Sequence, residues 1–184
     1  MANLKVPVGQ ADHVQGDEHA PVTLVEYGDY ECPHCGHAHP IVQAVLKHFG
    51  KQLRFVFRNF PLTQIHPHAE MAAEAAEFAA TKDRFWEMHD AIFENQSRLG
   101  TPLLLQLAGK LDLPSNELTA ALETHEYLSR IKSDFMGGVR SGVNGTPTFF
   151  INGERYEESW EFVDLVAAIE EYLSLSKTGR RRAG

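Results

Sequence analysis

The sequence predicts an α/β fold whose sheet-forming parts are separated by an all-helical block. Three observations carry this reading. A β-branched run at Pro21–Gly28 is followed by helical periodicity from Pro33 to Phe49 and by an alternating run at Leu53–Arg58. Strand character then disappears from about Ile65 to Ser141. It returns at Thr148–Ile151, just before Asn152-Gly153.

Each element has a local cause. Pro21 and Gly28 bound a short apolar run, Val22-Thr23-Leu24-Val25, that reads as a buried strand. Downstream, Ile41, Val42, Val45, Leu46 and Phe49 fall on one face of a helix that Gly50 ends. The strand, helix, strand order implies parallel neighbours joined by a right-handed crossover. In the helical block, Ala69–Ala80 is rich in Ala and Glu. Arg84–Glu94 carries Phe85, Trp86, Met88, Ile92 and Phe93 at helical spacing, which suggests the block's own core. Thr101-Pro102 fits N-cap and first helical position, Ser115 can cap the next helix with Glu117 in its first turn, and a further helix spans Tyr127 to Arg140 before Gly142. Asn152-Gly153 predicts a type I′ hairpin into Glu154-Arg155-Tyr156, and Ser159 can cap a terminal helix carrying Phe162, Val163, Leu165, Val166, Ile169 and Leu173. The expected organisation is a frame begun by residues 1–64, an insertion at 65–141, the frame completed by 142–176, and a basic tail at 177–184. No internal repeat or low-complexity linker interrupts it.

Composition narrows the function classes. With 184 residues, 43% of them hydrophobic, the chain can bury a substantial core without staples. A formal net charge of −8 argues against a nucleic-acid surface, and Arg180-Arg181-Arg182 reads as a solvated tail. No stretch approaches the ~18 apolar residues of a membrane span, and the first residues show no basic segment leading into an apolar one. The expected location is the cytoplasm, although a mature exported domain with an added initiator Met would read the same. Both cysteines of the chain fall in one motif, leaving none for a structural disulfide framework.

That motif is Cys32-Pro33-His34-Cys35, placed where a strand has ended and a helix begins. A helix N-terminus offers unpaired N–H groups that stabilise a thiolate, so a redox dithiol is the leading reading. Cys32, Cys35, His34, His37 and His39 also form a soft-ligand cluster. A helix starting at Pro33 would spread His37 and His39 around its circumference, and no second Cys pair closes a structural site. No metal and no cofactor is therefore expected. His66, His68 and His89 read as surface or satisfied core histidines.

Taken together, the strand before Cys-x-x-Cys, the helix leaving it, Glu26, the distant Thr146-Pro147 and the helical insertion resemble the thioredoxin fold in the form found in the DsbA family of thiol-disulfide oxidoreductases. The resemblance covers about Val22 to Leu173 and implies a member without a visible leader. It implies that Cys32 is the attacking thiolate and Cys35 the buried resolving thiol. Pro33 and His34 would set the loop, with His34 donating a hydrogen bond or positive charge to the thiolate and so making the disulfide more oxidising. Glu26, flanked by apolar residues, would be a buried acid of raised pKa that exchanges a proton with Cys35 through water. Asp29 and Glu31 would add electrostatic influence. Thr146-Pro147 would hold a cis peptide bond and offer the Thr146 backbone to an extended substrate. The expected partners are protein or peptide thiols and disulfides, with glutathione or another recycling partner. An oxidase-like poise is expected, with a reductase, an isomerase or a non-catalytic binding module, metal-loaded or not, as alternatives.

Overall fold

A computed structural model of the chain describes residues 3–182, with side chains through Leu175. Its strands are β1 (His13–Gly16), β2 (Val22–Gly28), β3 (Leu53–Asn59), β4 (Thr148–Ile151) and β5 (Glu154–Tyr156). The helices are α1 (Pro33–Phe49), α2 (Ala69–Ala80), α3 (Phe85–Glu94), α4 (Thr101–Lys110), α5 (Ser115–Thr124), α6 (Leu128–Arg140) and α7 (Phe162–Arg182). The strands form one sheet in the order β1-β3-β2-β4-β5, with β2 and β3 parallel and every other pair antiparallel.

The central strand β2 is buried along its whole length because helices cover both faces of the sheet. Its alternation sorts the interior. Leu24 shares the larger apolar cluster with α1, α7 and most of the helical block, whereas Val25 and Tyr27 pack on the other side with Val56, Phe60 and Phe150. Asn152 and Gly153 have φ of 49° and 88°, as a type I′ turn requires, and the carboxamide of Asn152 accepts the Thr23 N–H at 2.8 Å. The hairpin is thereby tied to the central strand.

Strand β1 has no counterpart in the sequence reading. Only one of its four residues, Val14, is apolar, so it carries no alternation signal. It forms by pairing antiparallel with β3, and the segment before it is anchored by Arg58, whose guanidinium binds Asp12 and the Val6 and Pro7 carbonyls.

Three helix starts also differ from expectation. Gly100 is the N-cap of α4, placing Thr101 and Pro102 inside the first turn, and the Thr101 hydroxyl is turned to Met71. Pro114 precedes α5, while the Ser115 hydroxyl donates to the Leu105 carbonyl instead of capping. Ser159 accepts the Glu161 N–H in a local turn, and the helical pattern begins only when the Glu161 carbonyl takes the Leu165 N–H. In each case a tertiary partner or turn claims the hydroxyl, a competition open to Ser and Thr.

The aromatic stripe of α3 does not form a separate core. Phe93 packs edge-on to Phe57 at 6.2 Å between centroids and Trp86 lies 5.7 Å from Phe55, so helical block and sheet share one apolar cluster. Backbone helix α7 continues to Arg182; the side chains of Arg180, Arg181 and Arg182 lie outside the described residues.

Candidate active site

The link from β2 to α1 carries the dithiol. Cys32 is the N-cap of α1, Pro33 opens the helix where its missing N–H costs nothing, and Cys35 faces inward one turn on. Both cysteines are free thiols with little exposure, 4% for Cys32 and 0% for Cys35. The Cys32 Sγ donates to the Thr146 carbonyl oxygen at 3.3 Å, and the Thr146-Pro147 peptide bond is cis, as expected. The dithiol and that loop therefore lie side by side across a sequence separation of 114 residues.

Electrostatics divide the two sulfurs. Cys32 is lowered to about 5, chiefly by a hydrogen bond from the Cys35 thiol, then by the Thr146 side chain and the N–H groups of Cys35 and His34. Burial opposes that lowering and is outweighed. Cys35 is pushed well up, first by burial and then by its neighbours Cys32 and Glu26; only its bond from the Asp29 N–H, at 3.4 Å, acts the other way. One sulfur is thus a thiolate at neutral pH and the other a protonated thiol.

Glu26 is 3% exposed and sits on β2 opposite Phe57 and Phe149. Burial, followed by the negative charge of Cys32, raises it to about 8. At neutral pH it is a protonated acid, with the burial and raised pKa expected of it. His34 departs from expectation in part. Its imidazole is exposed, and its contribution to Cys32 comes through its main-chain N–H. Pro33 is likewise exposed beside it.

Asp29 does more than lend charge. Its Oδ1 accepts the N–H groups of Glu31 at 2.7 Å and Cys32 at 3.2 Å, while Oδ2 accepts the Leu62 N–H and faces His66 Nδ1, both at 2.8 Å. Glu31 in turn holds His68 by its N–H and ring. These two acids clamp the redox loop to the start of the helical block, which also assigns His66 and His68. The Asp-x-x-Cys spacing is an Asx-turn signal that was available in the sequence. Gln96 is a different matter. Its Nε2 donates to the carbonyls of Tyr30 at 2.9 Å and Cys32 at 2.8 Å, a clamp between residues more than sixty apart that no local pattern announces. His89 is buried, with Nδ1 2.9 Å from the Tyr30 hydroxyl.

The histidines near the dithiol diverge. His37 is exposed and lies 3.2 Å from Glu161, whereas His39 is buried and stacks on Phe93. Among the described residues, the groups close enough to share a metal ion are His39 with His89 and Asp90, and Glu70 with Glu74 and His125; neither contains a cysteine.

A thioredoxin family model matches residues 9–171. Among curated proteins, the chain is 46% identical over 170 residues to Na(+)/H(+) antiporter NhaA 1 of Salinispora arenicola and 38% identical over 163 residues to NhaA 1 of Mycobacterium sp. strain KMS. The match takes in 92% and 88% of this chain but only 26% and 27% of those proteins, so the chain spans about a quarter of their length. None of the described helices is long and apolar enough to cross a membrane. Among solved structures, oxidised BdbD of Bacillus subtilis superposes with a TM-score of 0.85 at 26% identity, over 94% of this chain and 98% of that one. Wolbachia pipientis alpha-DsbA1 shares the fold with a TM-score of 0.81 at 19% identity, over 96% and 97% of the two chains. The chain belongs to the thioredoxin family, and its helical insertion gives it the fold of the DsbA-type thiol-disulfide oxidoreductases.

Proposed function

We propose that the protein exchanges disulfides with protein or peptide thiols through Cys32 and Cys35, with an oxidase-like intrinsic poise. The observation that carries this is the opposed state of the two sulfurs: a lowered Cys32 at the helix N-terminus and a raised, buried Cys35 with Glu26 behind it. In the oxidising direction a substrate thiolate attacks Cys32 of the disulfide, and the electron pair of the broken bond passes to Cys35, which takes a proton from Glu26 through water. A second substrate thiolate then attacks the substrate sulfur of the mixed disulfide and releases Cys32 as a thiolate. The substrate is oxidised by two electrons and the protein is left as the dithiol.

Stabilising the Cys32 thiolate favours the reduced protein and so strengthens the disulfide as an oxidant. Discounted for solvent screening at the protein edge, a thiol lowered to about 5 contributes about 2 kcal/mol at neutral pH, or ~40 mV. The imidazole of His34 would add positive charge when protonated, and the Thr146 backbone would pair with an extended substrate. In the cytoplasm, the glutathione pool would hold such a pair reduced and turn the same chemistry toward reduction or isomerisation.

The test is the equilibrium of the Cys32–Cys35 pair with glutathione, followed by the ultraviolet absorbance of the thiolate. A constant in the range of strongly oxidising dithiols supports the proposal, and a thioredoxin-like reducing value overturns its direction. Cys32→Ser should abolish both insulin reduction and oxidative refolding of a reduced substrate; unchanged turnover would overturn disulfide exchange through Cys32.

A further inference from the structure

The helical block holds a second group of titratable side chains that the dithiol does not use. Glu70 and Glu74 lie four residues apart on α2, so their carboxylates share one helix face. His125 reaches them from the end of α5, and one donor atom from each residue lies within 4.8 Å of the other two. Three features of this group go beyond an ordinary surface ion pair.

Glu74 is only 1% exposed in spite of its carboxylate. Its Oε1 lies 2.9 Å from His125 Nδ1, but Oε2, on the same carboxyl carbon, is buried with no hydrogen-bond partner among the described residues. A buried carboxylate oxygen lacking a donor is costly and calls for an electron-pair acceptor. Glu70 is one helical turn away with no ion pair among the described residues, so the helix carries like charges at a spacing that destabilises it in the absence of a cation. His125 is held in the left-handed conformation (φ 51°, ψ 44°) at the C-cap of α5, and its side chain is 59% exposed. Its ring therefore stands at the solvent side of a buried carboxylate, which leaves an entry path.

The cluster of His39, His89 and Asp90 is a weaker case. His89 is already bonded to the Tyr30 hydroxyl, His39 is stacked on Phe93, and Asp90 accepts from Gln43. Its groups are satisfied within the fold.

We propose that Glu70, Glu74 and His125 bind a divalent transition-metal ion, for which zinc is the natural occupant, pinning α5 to α2. Carboxylate oxygens and one imidazole nitrogen form a zinc donor set, and a three-residue site leaves a position for water. The bound ion would serve the uncompensated Glu74 oxygen and remove the repulsion between the two glutamates. His125 would exchange its proton for the metal.

The test uses the full chain in its oxidised form, so that neither cysteine sulfur is available, and titrates it with zinc chloride by calorimetry. Cobalt(II) serves as a spectroscopic probe of nitrogen and oxygen ligation. His125→Asn suits the test because asparagine tolerates the left-handed conformation, so the backbone is preserved. Glu70→Gln removes the second ligand at a partly exposed position. We expect one zinc ion per chain, a Tm that rises with zinc concentration, and an affinity loss of about 100-fold or more in either variant, with disulfide exchange unaltered. Absence of zinc binding, or equal affinity in wild type and either variant, would overturn the site and leave the dithiol reading untouched.

Discussion

Glu26 and Cys32 lean in opposite directions for opposite reasons, one driven by burial and the other by donors. Glu26 titrates near 4.5 as an ordinary carboxyl and at about 8 in the fold, so between those values the folded protein holds a proton the unfolded chain has lost. Its contribution to stability therefore falls as pH rises through that window. Glu26→Gln should stabilise the reduced protein increasingly from pH ~5 to ~8, by up to a few kcal/mol, in urea unfolding series. A pH-independent difference would show Glu26 to be ionised in the fold. Cys32 has the reverse sign: its stabilisation of the reduced fold is present at high pH and is lost as pH falls through about 5. Because the Cys35 thiol is the largest lowering influence, Cys35→Ala should raise the Cys32 pKa by about one unit, read from thiolate absorbance against pH. An unchanged value would assign the lowering to the helix N-terminus and Thr146 alone. The identities of these groups were legible from the motif; the sizes of their shifts required the burial and contacts that only packing supplies.

Helix α1 depends on a neighbour the sequence does not reveal. Gln96 satisfies the Tyr30 and Cys32 carbonyls, and a Cβ added at Gly36 would sit 2.3 Å from its Oε1. Gln96→Ala should cost about 1–2 kcal/mol and lower Tm by ~3–6 °C in thermal unfolding. Gly36→Ala should be neutral or destabilising in wild type, since it displaces that clamp, yet stabilising by up to about 1 kcal/mol in a Gln96→Ala background, where only helix propensity remains. The same sign in both backgrounds would dissociate Gly36 from the clamp. Element existence was easy to read wherever periodicity was strong, as in Ala69–Ala80 and Pro33–Phe49. Helix starts at Thr101, Ser115 and Ser159 were not, because each hydroxyl has a partner or turn that competes with the cap. Strand β1 was invisible for a related reason: it exists by pairing with β3, and nothing in His13–Gly16 alternates.

At the scale of the molecule, frame and insertion are joined by apolar packing and by the redox loop. Phe93 touches Tyr30, Phe57 and His39, residues of the dithiol loop, the sheet and α1, so Phe93→Ala should cost about 3–5 kcal/mol. Because Trp86 packs on Phe55, tryptophan fluorescence and far-ultraviolet circular dichroism should report one coincident unfolding transition. Two separated transitions would mean that the helical block unfolds by itself. The sequence by itself determined the α/β frame, the helical interruption, the hairpin and the dithiol, because periodicity, turn chemistry and spacing are local properties; Glu26 and Thr146-Pro147 joined the dithiol only through the resemblance to the DsbA family. The tertiary structure alone decided that Asp29 and Gln96 clamp the redox loop, that α3 shares the sheet's core, and that Glu70, Glu74 and His125 converge. Those are meetings of distant residues, brought about by burial of a common apolar surface that no local pattern encodes.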